Sequence, residues 1–268
     1  MRSFLHEHAG IRFSVSETGE GLPMLFQHGL CGDALQPAEV FPTESGWRCL
    51  TLECRGHGQS EAGSPDEFSL ATFAEDLVSL IEAQNLAPVV VGGISMGAAL
   101  ALRLAVLRPD LVRALVLARP AWTTEAAPLN MQANALVGDL LRRYPPEEAR
   151  AQFEASEVAR SLEENAPDNL ASLRSFFSRQ PLSVTRELLC RISADGPGIS
   201  RSEIEQIEIP TLVIGSARDF IHPLAKAREL ATMIPDATLV EITPKAVNRD
   251  LYRRDFTAAL LAFLKELT

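Results

Sequence analysis

Short runs of β-branched and other apolar residues alternate with longer amphipathic stretches along most of this chain. The alternation holds from residue 23 to residue 118 and returns after residue 204. Strands buried on both faces of a parallel sheet have nearly continuous apolar sequences, and the helices that connect them have one apolar face. The pattern therefore predicts an α/β fold, a mostly parallel sheet of about eight strands with helices on both faces.

The predicted elements are short and regularly spaced. Strands are predicted at residues 3–8, 11–17, 23–27, 48–52, 89–91, 112–117, 211–215 and 238–242. Helices are predicted at residues 70–84, 98–107, 224–234 and 251–267. The first two strands meet at Ala9-Gly10 and predict a hairpin.

Residues 121–203 interrupt the alternation of predicted strands and helices. Their patterns are mostly helical, with several prolines between them and no strand-like run. The simplest interpretation is a helical insertion between two strands of the sheet. We expect residues 1–120 and 204–268 to form the α/β core and residues 121–203 to form the insertion.

Composition narrows the class of protein. The formal net charge of −10 argues against a nucleic-acid surface. Cys31, Cys49, Cys54 and Cys190 are scattered, which is typical of reduced thiols rather than of a disulfide framework or a metal site. No stretch has the length of a signal peptide core or of a membrane span. We expect a cytoplasmic monomer or homodimer with no metal, no cofactor, and neither a nucleic acid nor a membrane as partner.

The strongest chemical signal lies at the centre of the pattern. Val89-Val90-Val91 is followed by Gly93-Ile94-Ser95-Met96-Gly97, which fits Gly-x-Ser-x-Gly, and then by a run of good helix formers. Strand, Ser and helix in this order predict a nucleophile elbow, a sharp turn that holds the Ser in a strained conformation. The glycines are needed because larger side chains would collide with the strand and the helix.

Three further motifs accompany this elbow. They are His28-Gly29, Arg55-Gly56-His57-Gly58-Gln59-Ser60 and Gly215-Ser216-Ala217-Arg218-Asp219, each directly after a predicted strand. In their order and spacing the four motifs resemble the α/β-hydrolase family over almost the whole chain. The resemblance implies that fold, with residues 121–203 as the helical cap over the active site.

The resemblance also implies roles for single residues. Ser95 would be the nucleophile, and Asp219 the acid that orients an imidazole. The backbone amides of Leu30 and Met96 would form the oxyanion hole. We expect His28 and His57 to brace their loops rather than to take part in chemistry.

One member of the catalytic set departs from the family pattern. The family places a His in the loop after the last strand, but here residues 243–250 contain none, and no His follows His222. A Ser without a base is a poor nucleophile. Three alternatives remain: His222 swings in from the adjacent loop, a desolvated Lys245 acts as base, or a His has been replaced at Ala246 or Val247.

The expected substrate is a small molecule, and local cations allow it to be anionic. Arg119, Lys245 and Arg249 would lie near the pocket mouth, although for Arg249 a solvated surface position is the preferred interpretation. Trp122, at the start of the insertion, is a candidate for the pocket lining. The sequence thus predicts a cofactor-independent serine hydrolase of a small ester or lactone, acting through an acyl-enzyme with a nonstandard base. The alternatives are a non-hydrolytic ligand-binding protein or pseudoenzyme of this fold, and a lyase that uses the oxyanion pocket.

Overall fold

A single eight-stranded sheet forms the centre of the protein, in a computed structural model that describes residues 2–268. Its strands are β1 (Arg2–His8), β2 (Ile11–Gly19), β3 (Leu22–Gln27), β4 (Trp47–Leu52), β5 (Val89–Ile94), β6 (Val112–Ala118), β7 (Thr211–Gly215) and β8 (Ala237–Glu241). They lie in the order β1-β2-β4-β3-β5-β6-β7-β8. The pairs β1/β2 and β2/β4 are antiparallel and all the others are parallel. The predicted mostly parallel, eight-stranded sheet is confirmed.

Helices cover both faces of this sheet. They are α1 (Leu35–Val40), α2 (Leu70–Ala83), α3 (Met96–Leu107), α4 (Gln132–Arg143), α5 (Pro146–Glu154), α6 (Glu157–Asn165), α7 (Pro167–Phe176), α8 (Leu182–Ala194), α9 (Arg201–Ile204), α10 (Leu224–Met233) and α11 (Arg249–Glu266). Three short 3-10 turns lie at Pro65–Glu67, Pro109–Leu111 and Leu129–Met131. No helix within residues 2–268 combines the length and the apolar character that crossing a membrane requires.

Two apolar cores lie on opposite faces of the sheet. Helices α2, α3 and α10 and the helices of residues 121–203 contribute to one core, while α1 and α11 contribute to the other. Successive residues of a strand point to opposite faces. Accordingly Val89 and Val91 enter the first core and Val90 the second. The unbroken apolar runs in the sequence reflect this burial on both sides.

Two elements differ from the sequence-based prediction. Strand β5 continues to Ile94, beyond the predicted end at residue 91. A Cβ at Gly92 would lie 2.7 Å from Val116 Cβ, so the strand continues through close approach to β6 rather than through apolar side chains. Helix α1 was not predicted, because its sequence contains Pro37. Proline is tolerated there since the first turn of a helix has amides without intrahelical partners.

Candidate active site

Ser95 lies in a sharp turn between β5 and α3. Its backbone has φ 58° and ψ −110°, a region that non-glycine residues rarely adopt. A Cβ at Gly93 would lie 2.4 Å from the carbonyl carbon of Gly97, and one at Gly97 would lie 2.5 Å from the carbonyl oxygen of Gln27. Both glycines are therefore sterically required, as the motif predicted. Ser95 Oγ makes no hydrogen bond within residues 2–268, and Ser95 lines a cavity.

The loop after β3 lies directly beside this Ser. A Cβ at Gly29 would be 3.3 Å from Ser95 Cβ, and the Gly29 amide donates to Gln36 Oε1 over 2.6 Å. The amides of Leu30 and Met96 make no hydrogen bond in the described part of the chain. Free amides beside a nucleophile are what an oxyanion hole requires. Gln36, which the sequence analysis did not single out, accepts from the amide of Gly29 and so holds the residue before Leu30 in place.

Two buried histidines hold the loops around this site. His28 Nε2 accepts a hydrogen bond from the Cys54 amide over 3.0 Å, and His57 Nε2 accepts one from the Cys31 amide over 3.0 Å. Both rings are fully buried, and burial lowers the pKa of each below its ordinary value. The neutral rings act as braces between loops, which is the role expected from the sequence.

Asp219, after β7, is a buried carboxylate with two partners. Arg119 donates to it through Nε over 2.7 Å and through Nη2 over 2.5 Å, and His222 Nδ1 lies 2.9 Å from its Oδ1. Burial alone would raise the pKa of Asp219, but the neighbouring Arg119 and His222 outweigh it and bring the pKa well below its ordinary range. The carboxylate is therefore ionised at neutral pH.

His222 is oriented by that carboxylate. An ionised carboxylate can only accept, so we assign the ring proton to Nδ1, which leaves Nε2 as the acceptor. Nε2 has no hydrogen-bond partner within residues 2–268, and the residue lines the same cavity as Ser95. Burial lowers the pKa of His222, while Asp219 acts in the opposite direction. The net shift is downward, so the ring is a neutral base at pH 7.

Two asparagines of residues 121–203 fix the loop that carries Asp219 and His222. Asn169 Oδ1 accepts from the amides of Phe220 and Ile221 over 2.7 and 3.1 Å. Asn130 Nδ2 donates to the carbonyl oxygen of Ile221 over 2.7 Å. Sequence analysis missed both residues, because in a polar stretch a buried Asn cannot be distinguished from an exposed one.

The cavity between these groups is small. Its volume is about 90 Å³, whereas ligand pockets commonly have roughly 300–1,000 Å³. Its lining comprises Gly29, Leu30, Gln36, Ser95, Arg119, Met131, Asn134, Asp168, Asn169, Ser172, Phe176, Ile221, His222 and Lys245. The core and residues 121–203 both contribute, so this helical segment covers Ser95. Such a cavity suits a ligand of a few heavy atoms.

Lys245 occupies the loop where the family places its His. Its Nζ lies 5.8 Å from the centre of the Tyr252 ring and has no carboxylate within 4.0 Å in the described residues. Burial, followed by the charge of Arg119, lowers the pKa of Lys245. Its neighbours Ala246 and Val247 do not line the cavity.

The other candidate residues lie outside the cavity. Arg249 is exposed and donates to Glu39 over 2.9 Å, as a surface ion pair would. Trp122 is buried and donates from Nε1 to the Asp195 carbonyl oxygen over 2.9 Å, so the structure does not bring it to the cavity lining. Within residues 2–268 no three His, Cys, Asp or Glu side chains are grouped so that they could hold a metal ion.

Comparison with known proteins agrees with the fold described above. Residues 23–246 match the family model described as the alpha/beta hydrolase fold. The chain belongs to the alpha/beta hydrolase family. The matched range contains the elbow, the loop after β3, and the segment from Asp219 to Lys245.

Similar proteins within this family carry several functional names. The chain is 30% identical over 250 residues to "Putative non-heme bromoperoxidase BpoC" of Mycobacterium tuberculosis, covering 91% of this chain and 93% of that protein. It is 28% identical over 242 residues to a 2-hydroxymuconate semialdehyde hydrolase of Pseudomonas putida, covering 86% and 82% of the two chains. The enol-lactonase structure from Burkholderia xenovorans LB400 superposes with a TM-score of 0.74 at 22% identity, covering 97% and 99%. The first two support an enzyme, the second supports the hydrolase type, and the third supports the fold.

Proposed function

We propose that this protein hydrolyses a small ester or lactone through an acyl-enzyme on Ser95. His222 is the general base, Asp219 is the acid that orients it, and the amides of Leu30 and Met96 bind the oxyanion. The observation that carries the proposal is the free Nε2 of His222. His222 lines the same cavity as Ser95, and Asp219 fixes its Nδ1.

The reaction follows from the placement of these groups. Ser95 Oγ attacks the substrate carbonyl carbon and gives its proton to His222 Nε2, while the Leu30 and Met96 amides bind the negative oxygen. The ionised Asp219 stabilises the imidazolium that forms. That imidazolium returns its proton to the departing alkoxide, which leaves the acyl group on Ser95. A water molecule, deprotonated by Nε2, then releases the acid and restores Ser95.

The assignment of the base favours His222 over Lys245. A general base is effective when its pKa lies near the working pH and a second group orients it. His222 is neutral at pH 7, because burial brings its pKa below the ordinary value, and its hydrogen bond to Asp219 orients the ring. Lys245 has no orienting acid within 4.0 Å in the described residues. Ser95 Oγ and His222 Nε2 do not hydrogen-bond to each other, and we expect a substrate to bring them together.

The experiment is active-site labelling combined with turnover. The protein is incubated with a fluorophosphonate probe and with a panel of p-nitrophenyl esters and lactones, beside the Ser95→Ala variant. We expect one covalent adduct per chain and measurable turnover, both absent in Ser95→Ala. Labelling or turnover that persists in this variant contradicts the proposal. Absence of both labelling and turnover in the parent protein would favour the binding-protein or lyase alternatives.

A further inference from the structure

Lys245 is the cation of the cavity lining that lacks an acidic partner. The other cation of the lining, Arg119, pairs with Asp219 over 2.5 Å and approaches Asp168 at 3.8 Å. Lys245 has no carboxylate within 4.0 Å among the described residues, although it is partly buried beside Tyr252. A partly desolvated ammonium group is unfavourable unless an anion or several acceptors surround it. A fully solvated surface position does not describe Lys245, because the residue is partly buried and lines the same cavity as Ser95.

A second unpartnered polar group lines the same cavity from the helical segment. Asn134 in α4 is only 4% exposed, its Oδ1 is buried without a hydrogen-bond partner, and its Nδ2 also makes no hydrogen bond in residues 2–268. Buried amides are nearly always hydrogen-bonded, so an orphan of this kind needs an explanation. A ligand acceptor in the cavity would be a partner for Nδ2, but not for Oδ1, which itself accepts and needs a donor. Asn134 offers such a ligand two N–H donors, the same type of interaction that Lys245 offers.

We propose that the substrate carries a carboxylate that binds to Lys245 and Asn134, so that the preferred substrate is the half-ester of a short dicarboxylic acid or a lactone bearing a carboxylate. This inference rests on the proposed function, because it places the carboxylate on the molecule whose ester group reaches Ser95. Charge-assisted hydrogen bonds from an ammonium group to a carboxylate are about twice as strong as neutral ones. The cavity volume of about 90 Å³ restricts the acid portion to a few carbon atoms.

The kinetic test compares two esters of nearly equal shape. Monomethyl succinate carries the carboxylate, and methyl 4-methylpentanoate has an isopropyl group in its place. We expect kcat/KM to be at least about tenfold higher for the charged ester, since one hydrogen bond to a charged group contributes this much. Lys245→Met should lower kcat/KM for the charged ester by about 10- to 100-fold, mainly through KM, and leave the neutral ester within about twofold. Lys245→Arg should retain part of the preference.

The variants separate binding from proton transfer. If Lys245→Met lowers kcat for both esters equally, Lys245 acts in the chemistry and the carboxylate assignment is wrong. If neither ester is affected, the assignment is also wrong. Arg249→Gln is the matched control, because it removes an exposed cation in the following helix that is paired with Glu39 and does not line the cavity. It should leave both esters unchanged.

A binding measurement keeps this inference separate from the catalytic proposal. Succinate, glutarate and the neutral 4-methylpentanamide are titrated calorimetrically into Ser95→Ala, which retains the cavity. We expect one of the dicarboxylates to bind and the amide not to, with at least a tenfold loss of affinity when Lys245→Met or Asn134→Ala is added. Such binding without Ser95-dependent turnover would overturn the catalytic proposal and support the carboxylate site. Absence of binding by both dicarboxylates, or binding that Lys245→Met leaves unchanged, would overturn the site.

Discussion

His222 Nδ1 lies 2.9 Å from the carboxylate of Asp219, three residues earlier in the same loop. In the pattern that the sequence resembles, the acid follows one strand and the base follows the last strand. Here both groups lie in the loop after β7, and the loop after β8 contributes Lys245 instead. A single loop, anchored by Asn169 and Asn130, therefore holds the proposed acid and the proposed base together.

The first prediction concerns the pH dependence of activity. Burial places the pKa of His222 below its ordinary value of 6.5. Only the neutral ring accepts a proton, so kcat/KM should fall as the pH decreases through a value below 6.5 and be flat at pH 7 and above. The measurement is a pH profile of kcat/KM for a p-nitrophenyl ester. A profile that still rises above pH 8 would indicate Lys245 as the base.

The second prediction concerns the buried ion pair of Arg119 and Asp219. Their side chains are only 8% and 3% exposed. Arg119→Met would leave the carboxylate with His222 alone, and removing one partner of a buried pair costs about 3–5 kcal/mol of unfolding free energy. Urea denaturation at pH 7.5 measures this change. Arg108→Met, which removes a partly exposed arginine paired with Asp110, is the matched control and should not change stability measurably.

The third prediction concerns the anchor of the catalytic loop. Asn169→Ala removes the acceptor of two amides, those of Phe220 and Ile221. We expect a loss of about 2 kcal/mol in unfolding free energy, since an unsatisfied buried group costs about 1–3 kcal/mol. We also expect kcat to fall by about tenfold or more, because a displaced base is ineffective. Asn169→Asp retains an acceptor and should recover most of the activity. Equal kcat values for all three proteins would contradict this role.

The fourth prediction concerns the elbow. Gly97→Ala places a Cβ 2.5 Å from the carbonyl oxygen of Gln27, so either α3 or β3 must move. We expect less soluble protein and no labelling of Ser95 by a fluorophosphonate. The comparison is Gly10→Ala, where a Cβ meets no atom within 4 Å and only the left-handed backbone, φ +75°, is unfavourable. That variant should label at the normal rate.

Much of the fold could be predicted because strands that are buried on both faces of a sheet have nearly continuous apolar sequences. The apolar run at Val89–Val91 and the following Gly-x-Ser-x-Gly defined the centre of the molecule. This apolar run could not show that β5 continues through Gly92 and Gly93, where close backbone contact replaces side-chain packing.

The site could be predicted only as far as local motifs define it. Ser95, Leu30 and Asp219 lie beside strands whose ends meet at one edge of the sheet, so their proximity follows from topology. The pairing of Arg119 with Asp219 joins residues 100 positions apart and leaves no local signal. The direction in which the His222 ring faces also depends on contacts from the helical segment, for example from Asn169.

The rate at which a fluorophosphonate labels Ser95 tests the central claim, that His222 activates this Ser, most directly. Intact-mass spectrometry at pH 7.5 follows labelling of the parent protein, of His222→Ala, and of His8→Ala as a partly exposed control in β1. We expect His222→Ala to label about 10²- to 10⁴-fold more slowly than the parent protein, the usual contribution of a general base, and His8→Ala to label at the parent rate. Labelling of His222→Ala at the parent rate would contradict the account.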